Sequence, residues 1–164
     1  MDEAEFDAFY QRSFVRLVGQ LYAMTGDFAE AQDVVQEAFV RAWDRRSQLA
    51  AAEHPEAWVR TVAWRLAVSR WRRAQNAIAA WRRHGPPQDV DAPEVHNVAL
   101  VTALRRIPEA QRRVIVLHHL CDLSVEQIAA ETRAPTGTVK AQLSRGRAAL
   151  KQHLVDADGG GVRA

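Results

Sequence analysis

The sequence predicts an all-α protein built from two small helical domains. Apolar residues recur at steps of three and four along most of the chain, which is typical of amphipathic helices. Strand signals, such as alternating β-branched runs and tight hairpin turns, are nearly absent. A length of 164 residues with 48% apolar content fits two small domains with real cores, and excludes a large multidomain enzyme or a disordered chain.

Three helices are predicted in the first domain, which we place at residues 1–84. The apolar face of the first helix consists of Phe6, Tyr10, Phe14, Leu17 and Leu21. A capping box of Asp27 and Glu30 begins the second helix. Its predicted buried side consists of Val34, Val35, Ala38, Phe39 and Ala42. Pro55 fits the first turn of a third helix that continues to about Arg83, with a core stripe of Val59, Val62 and Leu66.

The third helix lies in the basic part of the chain. Between Trp58 and His84 there are seven Arg and no Asp or Glu, whereas residues 1–57 are acidic overall. Arg suits bidentate phosphate contacts, although a GC-rich coding sequence would also enrich it. Trp64 and Trp71 fall nearly opposite Val62 and alternate with Arg, a pattern that single-stranded DNA binding uses. Spacing alone leaves open, and slightly favours, the alternative that both tryptophans pack against other helices.

A short, acidic, proline-rich linker is predicted at residues 85–97, where three prolines interrupt any helical period. We place the second domain at residues 98–155. Residues 156–164, which include three consecutive glycines, are predicted to form a flexible tail. Predicted core positions of the second domain are Val101, Leu104, Ile107, Val114, Ile115, Leu117, Leu120, Val139, Leu143 and Leu150.

The second domain carries a helix-turn-helix pattern. Ser124 and Gln127 form a capping box for a short helix, and the turn around Pro135 separates it from a longer one. Arg133 lies in this turn where Gly is common, so it needs a positive φ or a shifted turn. The second helix of such a motif presents its N-terminal side chains to base edges in the major groove. The candidates are Thr136, Thr138, Lys140, Ala141, Gln142 and Arg145, with Arg147 and Lys151 farther along for phosphates.

Catalytic, metal and membrane functions are not predicted. His118, His119 and Cys121 are the only cluster with ligand chemistry, and adjacent histidines point about 100° apart on a helix. No phosphate loop or nucleophile with a base is recognisable, so we expect no enzyme activity, cofactor, metal or small-molecule substrate. The sequence has no apolar run that could span a membrane and an acidic start unlike a signal peptide, so we expect a cytoplasmic protein.

Two stretches of the chain resemble a known family. Residues 30–43, Glu-Ala-Gln-Asp-Val-Val-Gln-Glu-Ala-Phe-Val-Arg-Ala-Trp, resemble region 2 of bacterial RNA polymerase sigma factors. Residues 123–147 resemble region 4, and the stretch from Leu104 to Leu117 resembles its start. The order of these regions, the short linker and the lack of regions 1 and 3 resemble the extracytoplasmic-function group. Residues 57–71 are similar to its sigma-E-like actinobacterial branch.

The resemblance implies a sigma factor that binds core RNA polymerase and directs promoter-specific initiation. It implies docking of the second helix on the β′ clamp helices through Asp33, Gln36, Glu37 and Arg41. It implies −10 reading and melting by Arg60, Trp64, Arg65, Ser69, Arg70, Trp71, Arg72 and Arg73, with the loop from Asp44 to Glu56 as the pocket of an unstacked base. It implies that region 4 contacts the β flap and reads the −35 element through Thr136, Thr138, Lys140, Ala141, Gln142, Arg145 and Arg147.

Departures and alternatives remain at this point. Arg65 and Ser69 occupy positions where members of the family often have Asn and Asp. The promoter sequence that those members recognise is therefore not transferable to this chain. Without the resemblance, the polar face of the second helix is simply a solvated surface. A stand-alone helix-turn-helix regulator is the alternative function, but it leaves the acidic helix and the Arg/Trp helix without a role. An anti-sigma factor is an open candidate partner.

Overall fold

The computed structural model describes residues 1–81 and 98–159, and the secondary structure of these residues is entirely helical. The chain divides into two compact units, Met1–Pro93 and Glu94–Ala164. The prediction of an all-α protein with two helical domains is confirmed. The predicted linker at residues 85–97 and the last five residues of the predicted tail lie outside the described residues.

Three long helices and one short helix form the first unit. They are α1 (Glu3–Thr25), α2 (Phe28–Asp44), α3 (Arg46–Ala50) and α4 (Pro55–Trp81). Helix α2 packs against both α1 and α4. Its buried face is the predicted one, with Ala31 in addition. The ring of Phe39 from α2 lies 4.9–6.3 Å, between centroids, from four rings of α1, which belong to Phe6, Phe9, Tyr10 and Phe14.

The junction between α1 and α2 forms only half of the predicted capping box. Gly26 ends α1 with a φ of 75°, a left-handed conformation that glycine adopts without steric cost. The Asp27 side chain accepts a hydrogen bond from the Glu30 backbone nitrogen at 3.0 Å. The backbone nitrogen of Asp27 bonds instead to Thr25 Oγ1 at 3.3 Å. The Glu30 carboxylate is thereby left to face α4.

The predicted core stripe of α4 is wrong at two of three positions. Val59 is buried, but Val62 and Leu66 are only half-buried. The buried side of α4 is rotated toward the opposite face. Ala63 and Ala67 are small and allow neighbouring helices to approach closely, and the ring of Trp64 fills the space beside them. This side consists of Val59, Arg60, Ala63, Trp64 and Ala67.

Polar contacts attach α4 to α1. The guanidinium of Arg60 is buried and donates a hydrogen bond to Gln20 Oε1 at 3.3 Å. Near the start of α4, Ser13 Oγ donates to Glu56 Oε1 at 2.8 Å, and Arg16 pairs with the same carboxylate oxygen. Since buried polar groups are costly without partners, these contacts explain how a charged residue occupies the core side of α4.

The second unit contains α5 (Val98–Arg105), α6 (Glu109–His119), α7 (Val125–Thr132) and α8 (Thr136–Gly159). Helix α8 contacts the other three helices and continues into the range where a flexible tail was expected to begin. Leu120 is a correction to the predicted core, because α6 ends at His119 and Leu120 is 47% exposed. Leu150 is half-buried, while the remaining predicted core positions are buried, together with Val116 and Ile128.

The turn of the helix-turn-helix has the predicted local chemistry. Ser124 Oγ accepts from the Gln127 backbone nitrogen at 3.1 Å, and Gln127 Oε1 accepts from the Ser124 nitrogen at 2.9 Å, so the full capping box is present. Arg133 ends α7 with φ 54° and ψ 40°, which confirms the positive φ. An arginine therefore occupies a position for which glycine is preferred.

Helices α6 and α8 lie close together at Gly146. A Cβ built on Gly146 would lie 2.5 Å from Ile115 Cδ1 and 3.3 Å from Gln111 Cβ, and Ile115 is itself buried. A Cβ on Gly137, in the first turn of α8, has nothing within 4 Å. Because both alanine substitutions gain helix propensity but only one overpacks the core, we expect Gly146→Ala to be less stable than Gly137→Ala by about 1 to 3 kcal/mol. Urea denaturation measures both variants, and equal stabilities would contradict this packing.

Candidate polymerase and nucleic-acid interfaces

The polar face of α2 carries the four residues predicted to bind polymerase. Asp33, Gln36 and Arg41 are exposed, and Glu37 is half-buried. Their spacing brings them to one side of the helix. Val40 follows Gln36 and Glu37 by four and three positions and is 61% exposed, so it adds an apolar side chain to the same face. Val40 was not among the residues predicted to bind polymerase, although an apolar residue on the polar side of an amphipathic helix is a sequence signal for a contact surface.

An ion-pair cluster joins this face to α4. Glu37 Oε2 accepts a hydrogen bond from Arg70 Nη2 at 2.7 Å, and Glu37 Oε1 accepts from Arg41 Nη2 at 2.6 Å. The hydrogen bond from Arg70 is the main reason that the pKa of Glu37 lies below its ordinary value. Arg70 Nη1 also lies 3.6 Å from Glu30 Oε2. Burial raises the pKa of Glu30 despite this charge, and its Oε1 is buried without a hydrogen-bond partner among the described residues.

The eight residues predicted to contact −10 DNA do not form one surface. Trp64 is 8% exposed and Arg60 is 5% exposed, so the prediction that their side chains are available to DNA is wrong. Arg70 faces the carboxylates of α2. Ser69 is half-buried, and four residues remain exposed on α4: Arg65, Trp71, Arg72 and Arg73.

Trp64 and Trp71 have different surroundings although they share a side of α4. Seven residues return to nearly the same angle around a helix, so spacing alone does not separate them. Trp71 is 52% exposed, and residues 71–77 are all exposed. The second half of α4 therefore extends beyond the packing that covers Trp64.

A groove of about 570 Å³ lies between the end of α2 and α4. Asp44 and Arg45, from the loop predicted to hold an unstacked base, contribute to it, whereas Arg46–Ala50 of that loop form α3. Ser69 Oγ accepts a hydrogen bond from Arg73 Nη2 at 3.2 Å within the groove. Guanidinium groups beside an apolar wall suit a nucleotide, because the guanidinium groups can bind its phosphate and the apolar wall can pack against its base. The lining consists of Arg41, Asp44, Arg45, Trp58, Val62, Arg65, Leu66, Ser69 and Arg73.

Helix α8 presents the residues predicted to read the −35 element. Val139 and Leu143 are buried and mark the side of α8 that faces the core, whereas Lys140 between them is exposed. Among the predicted residues, Ala141 and Gln142 are half-buried, and the exposed ones are Thr136, Thr138, Lys140, Arg145 and Arg147.

Arg147 has a contact with α6 that the sequence did not indicate. Its Nε donates a hydrogen bond to His119 Nε2 at 3.1 Å. Desolvation and the charge of Arg147 lower the pKa of His119, which favours the neutral imidazole that accepts this bond. The neighbouring His118 has a separate contact, with Nδ1 2.8 Å from the Leu123 carbonyl oxygen.

Neither a metal-binding cluster nor a membrane-spanning helix is found in residues 1–81 and 98–159. These residues contain no group of three or more His, Cys, Asp or Glu side chains placed to hold a metal ion. Among the helices of the same residues, none is both long and apolar enough to cross a membrane.

Sequence comparisons identify two family regions in this chain. Residues 9–77 match sigma-70 region 2, and residues 97–150 match sigma-70 region 4. The ECF RNA polymerase sigma-E factor of Escherichia coli strain K12 is 32% identical, over 86% of this chain and 80% of that protein. The ECF RNA polymerase sigma factor SigL of Mycobacterium tuberculosis is 31% identical, over 80% of this chain and 78% of that protein.

Solved structures show a similar fold. The sigma factor RpoE in complex with the anti-sigma factor NepR from Bartonella quintana matches with a TM-score of 0.80 and 21% identity, over 92% of this chain and 96% of that chain. CnrH in complex with the cytosolic domain of CnrY matches with a TM-score of 0.65 and 23% identity, over 96% of this chain and 91% of that chain. With both regions present in the family order and two relatives above 30% identity, a stand-alone regulator is not favoured. The chain belongs to the extracytoplasmic-function sigma factors of the sigma-70 family, which recognise promoters for RNA polymerase.

Proposed function

We propose that this sigma factor docks on core RNA polymerase through the polar face of α2, and contacts promoter DNA through the exposed side of α4 and the first turns of α8. The observation that carries the proposal is the two-sided character of α2, which buries one apolar face and exposes Asp33, Gln36, Val40 and Arg41 on the other. We propose residues 1–84 and 98–155 as the functional bounds of regions 2 and 4, with 85–97 as linker and 156–164 as tail.

The proposal extends to partners and location. The RpoE relative is a complex with an anti-sigma factor, which supports an anti-sigma factor as a candidate partner of this chain. The family consists of transcription initiation factors, and we infer that the protein acts in the cytoplasm, without catalysing a reaction and without a cofactor or small-molecule substrate.

Asp33, Gln36 and Val40 support the docking role of α2. Within the described part of the chain, Asp33 and Gln36 form no hydrogen bond or ion pair, so both are available to a partner. The exposed Val40 beside them gives the face an apolar centre with a polar border, which is the usual composition of a protein interface. We assign the β′ clamp helices of the polymerase as the partner of this face.

Reversal of the charge at Asp33 tests the docking surface. We expect Asp33→Lys to weaken binding to core polymerase about tenfold or more, because an interfacial charge would meet its partner with the wrong sign. Asp7→Lys is the matched control, since Asp7 is an exposed aspartate of α1 in the same unit. Fluorescence anisotropy of the labelled sigma factor measures the affinity, and circular dichroism measures folding. A folded Asp33→Lys variant with the affinity of Asp7→Lys would contradict the assignment.

The groove between α2 and α4 supports a role in −10 recognition. Extrusion of a base costs a few kcal/mol, so a protein that melts DNA needs a pocket and stacking surfaces to offset that cost. We propose that the groove receives the unstacked base. We also propose that the melted strand lies along the exposed part of α4, in contact with Arg65, Ser69, Trp71, Arg72 and Arg73. Arg60 and Trp64 then serve to hold α4 in place.

For the −35 element, position along α8 supports different roles for Arg145 and Arg147. Arg145 is exposed on the helix near its N-terminal part, where side chains can reach base edges. Arg147 lies farther along and is held by His119 through Nε, which leaves its terminal nitrogens available to a phosphate. We propose base reading by Arg145 and backbone contact by Arg147, together with contact between region 4 and the β flap.

Paired alanine variants separate these two roles. We expect Arg145→Ala to lose about 1 to 3 kcal/mol of preference for the selected −35 element over scrambled DNA, because a bidentate base contact is lost. Arg147→Ala should weaken both DNAs alike and reduce the salt slope by about one. Holoenzyme binding to a −35 element selected from random DNA, measured at several salt concentrations, provides both quantities. Equal losses on both DNAs for Arg145→Ala would refute base reading.

A further inference from the structure

Arg70 belongs to the basic helix α4 but contacts the acidic side of α2. Its two terminal nitrogens lie 2.7 Å from Glu37 Oε2 and 3.6 Å from Glu30 Oε2. The side chains of Arg70 and Glu37 are 34% and 36% exposed, so the pair is partly shielded from water. Glu37 in turn bonds to Arg41 on its own helix. One arginine from α4 therefore anchors a chain of three charged side chains on α2.

These contacts make Arg70 a poor ligand for a DNA phosphate. Two carboxylates in direct contact, and Asp33 as a third one nearby, already compensate its charge, and a phosphate would have to displace the hydrogen bond to Glu37 and approach these negative groups. Arg72, two residues farther along α4, is exposed and carries no such contact among the described residues. The two arginines are close in sequence but have different electrostatic surroundings, so they are suited to different tasks.

The cluster also determines the state of the α2 surface. With Arg70 on one oxygen and Arg41 on the other, the Glu37 carboxylate is ionised and fixed in orientation. Removal of Arg70 would free one oxygen, leave Glu30 without its opposing charge and loosen the geometry of Arg41. A face that is ordered before binding loses less conformational entropy when a partner docks.

We propose that Arg70 is a positioning residue for polymerase docking, which holds Glu37 and Arg41 in the arrangement that the polymerase recognises beside Asp33 and Gln36. This inference rests on the proposed function of the α2 face. It assigns Arg70 to the polymerase side of region 2 and removes it from the residues that contact the −10 strand.

A double-mutant cycle tests the proposal in the full-length protein. The variants are Arg70→Gln, Glu37→Gln and their combination, with Arg72→Gln as the matched control. We expect Arg70→Gln to weaken core polymerase binding about two- to fivefold, which corresponds to the contribution of a partly exposed ion pair. The combined variant should bind polymerase about as tightly as the single variant with the lower affinity, because both substitutions disrupt the same ion-pair cluster. Arg72→Gln should keep the parent affinity for polymerase.

Two further readouts separate positioning from general structure and from DNA contact. Arg70→Lys should recover part of the polymerase affinity, because Lys supplies the charge but cannot bridge two carboxylates as a planar guanidinium does. With preformed holoenzyme at saturating core polymerase, Arg70→Gln should retain the parent salt slope for promoter DNA. Arg72→Gln should lower that slope by about one.

Defined outcomes would overturn the inference. Parent-like polymerase affinity of Arg70→Gln, additive losses in the cycle, or a salt slope that falls as in Arg72→Gln would each do so. If Arg70→Gln melts below the assay temperature, the polymerase affinity and the promoter salt slope of Arg70→Lys test the inference instead. A loss in Asp33→Lys without a loss in Arg70→Gln rejects only the positioning role, whereas parent-like binding of Asp33→Lys rejects the docking surface itself.

Discussion

The packing of α2 against both α1 and α4 is the constraint on which the first unit depends. One helix supplies apolar contacts to two neighbours, so most of its apolar residues lie in the core and its remaining face is polar apart from the exposed Val40. The same arrangement brings the carboxylates of α2 within reach of Arg70 on α4. The surface proposed for polymerase and the helix proposed for promoter DNA are therefore joined by direct contacts.

Helix α4 has two parts with different roles. Its first part contributes Val59, Ala63 and Trp64 to the core, and Arg60 is tied to α1 through Gln20. Residues 71–77 are exposed, and they include Trp71, Arg72 and Arg73. A long helix that is anchored at one end and accessible at the other suits a protein that must hold separated DNA strands. The anchored part supplies rigidity, and the accessible part supplies charge and a stacking ring.

Features that depend on nearby residues could be predicted from the sequence. The buried face of α2 and the capping box of α7 follow from residues within a few positions of one another, and the sequence left Arg133 a positive φ or a shifted turn, of which the positive φ is observed. Features set by distant partners could not. In the sequence, Arg60 and Trp64 have the pattern of a DNA-binding surface. In the structure both are buried, and Arg60 donates a hydrogen bond to Gln20. Arg70 resembles a phosphate ligand until Glu37, 33 positions away, is seen beside it. The family resemblance supplied the function, and the structure shows which of the predicted residues are buried, which form ion pairs and which are exposed.

Site-specific photo-crosslinking in the holoenzyme–promoter complex tests most directly whether α2 faces polymerase while the end of α4 faces DNA. A photoreactive phenylalanine derivative would replace Gln36 in one variant and Trp71 in another, since both side chains are exposed and neither helix requires them for packing. We expect the probe at position 36 to crosslink to a polymerase subunit and the probe at position 71 to crosslink to promoter DNA. A crosslink from position 36 to DNA, or from position 71 to polymerase without DNA, would contradict it.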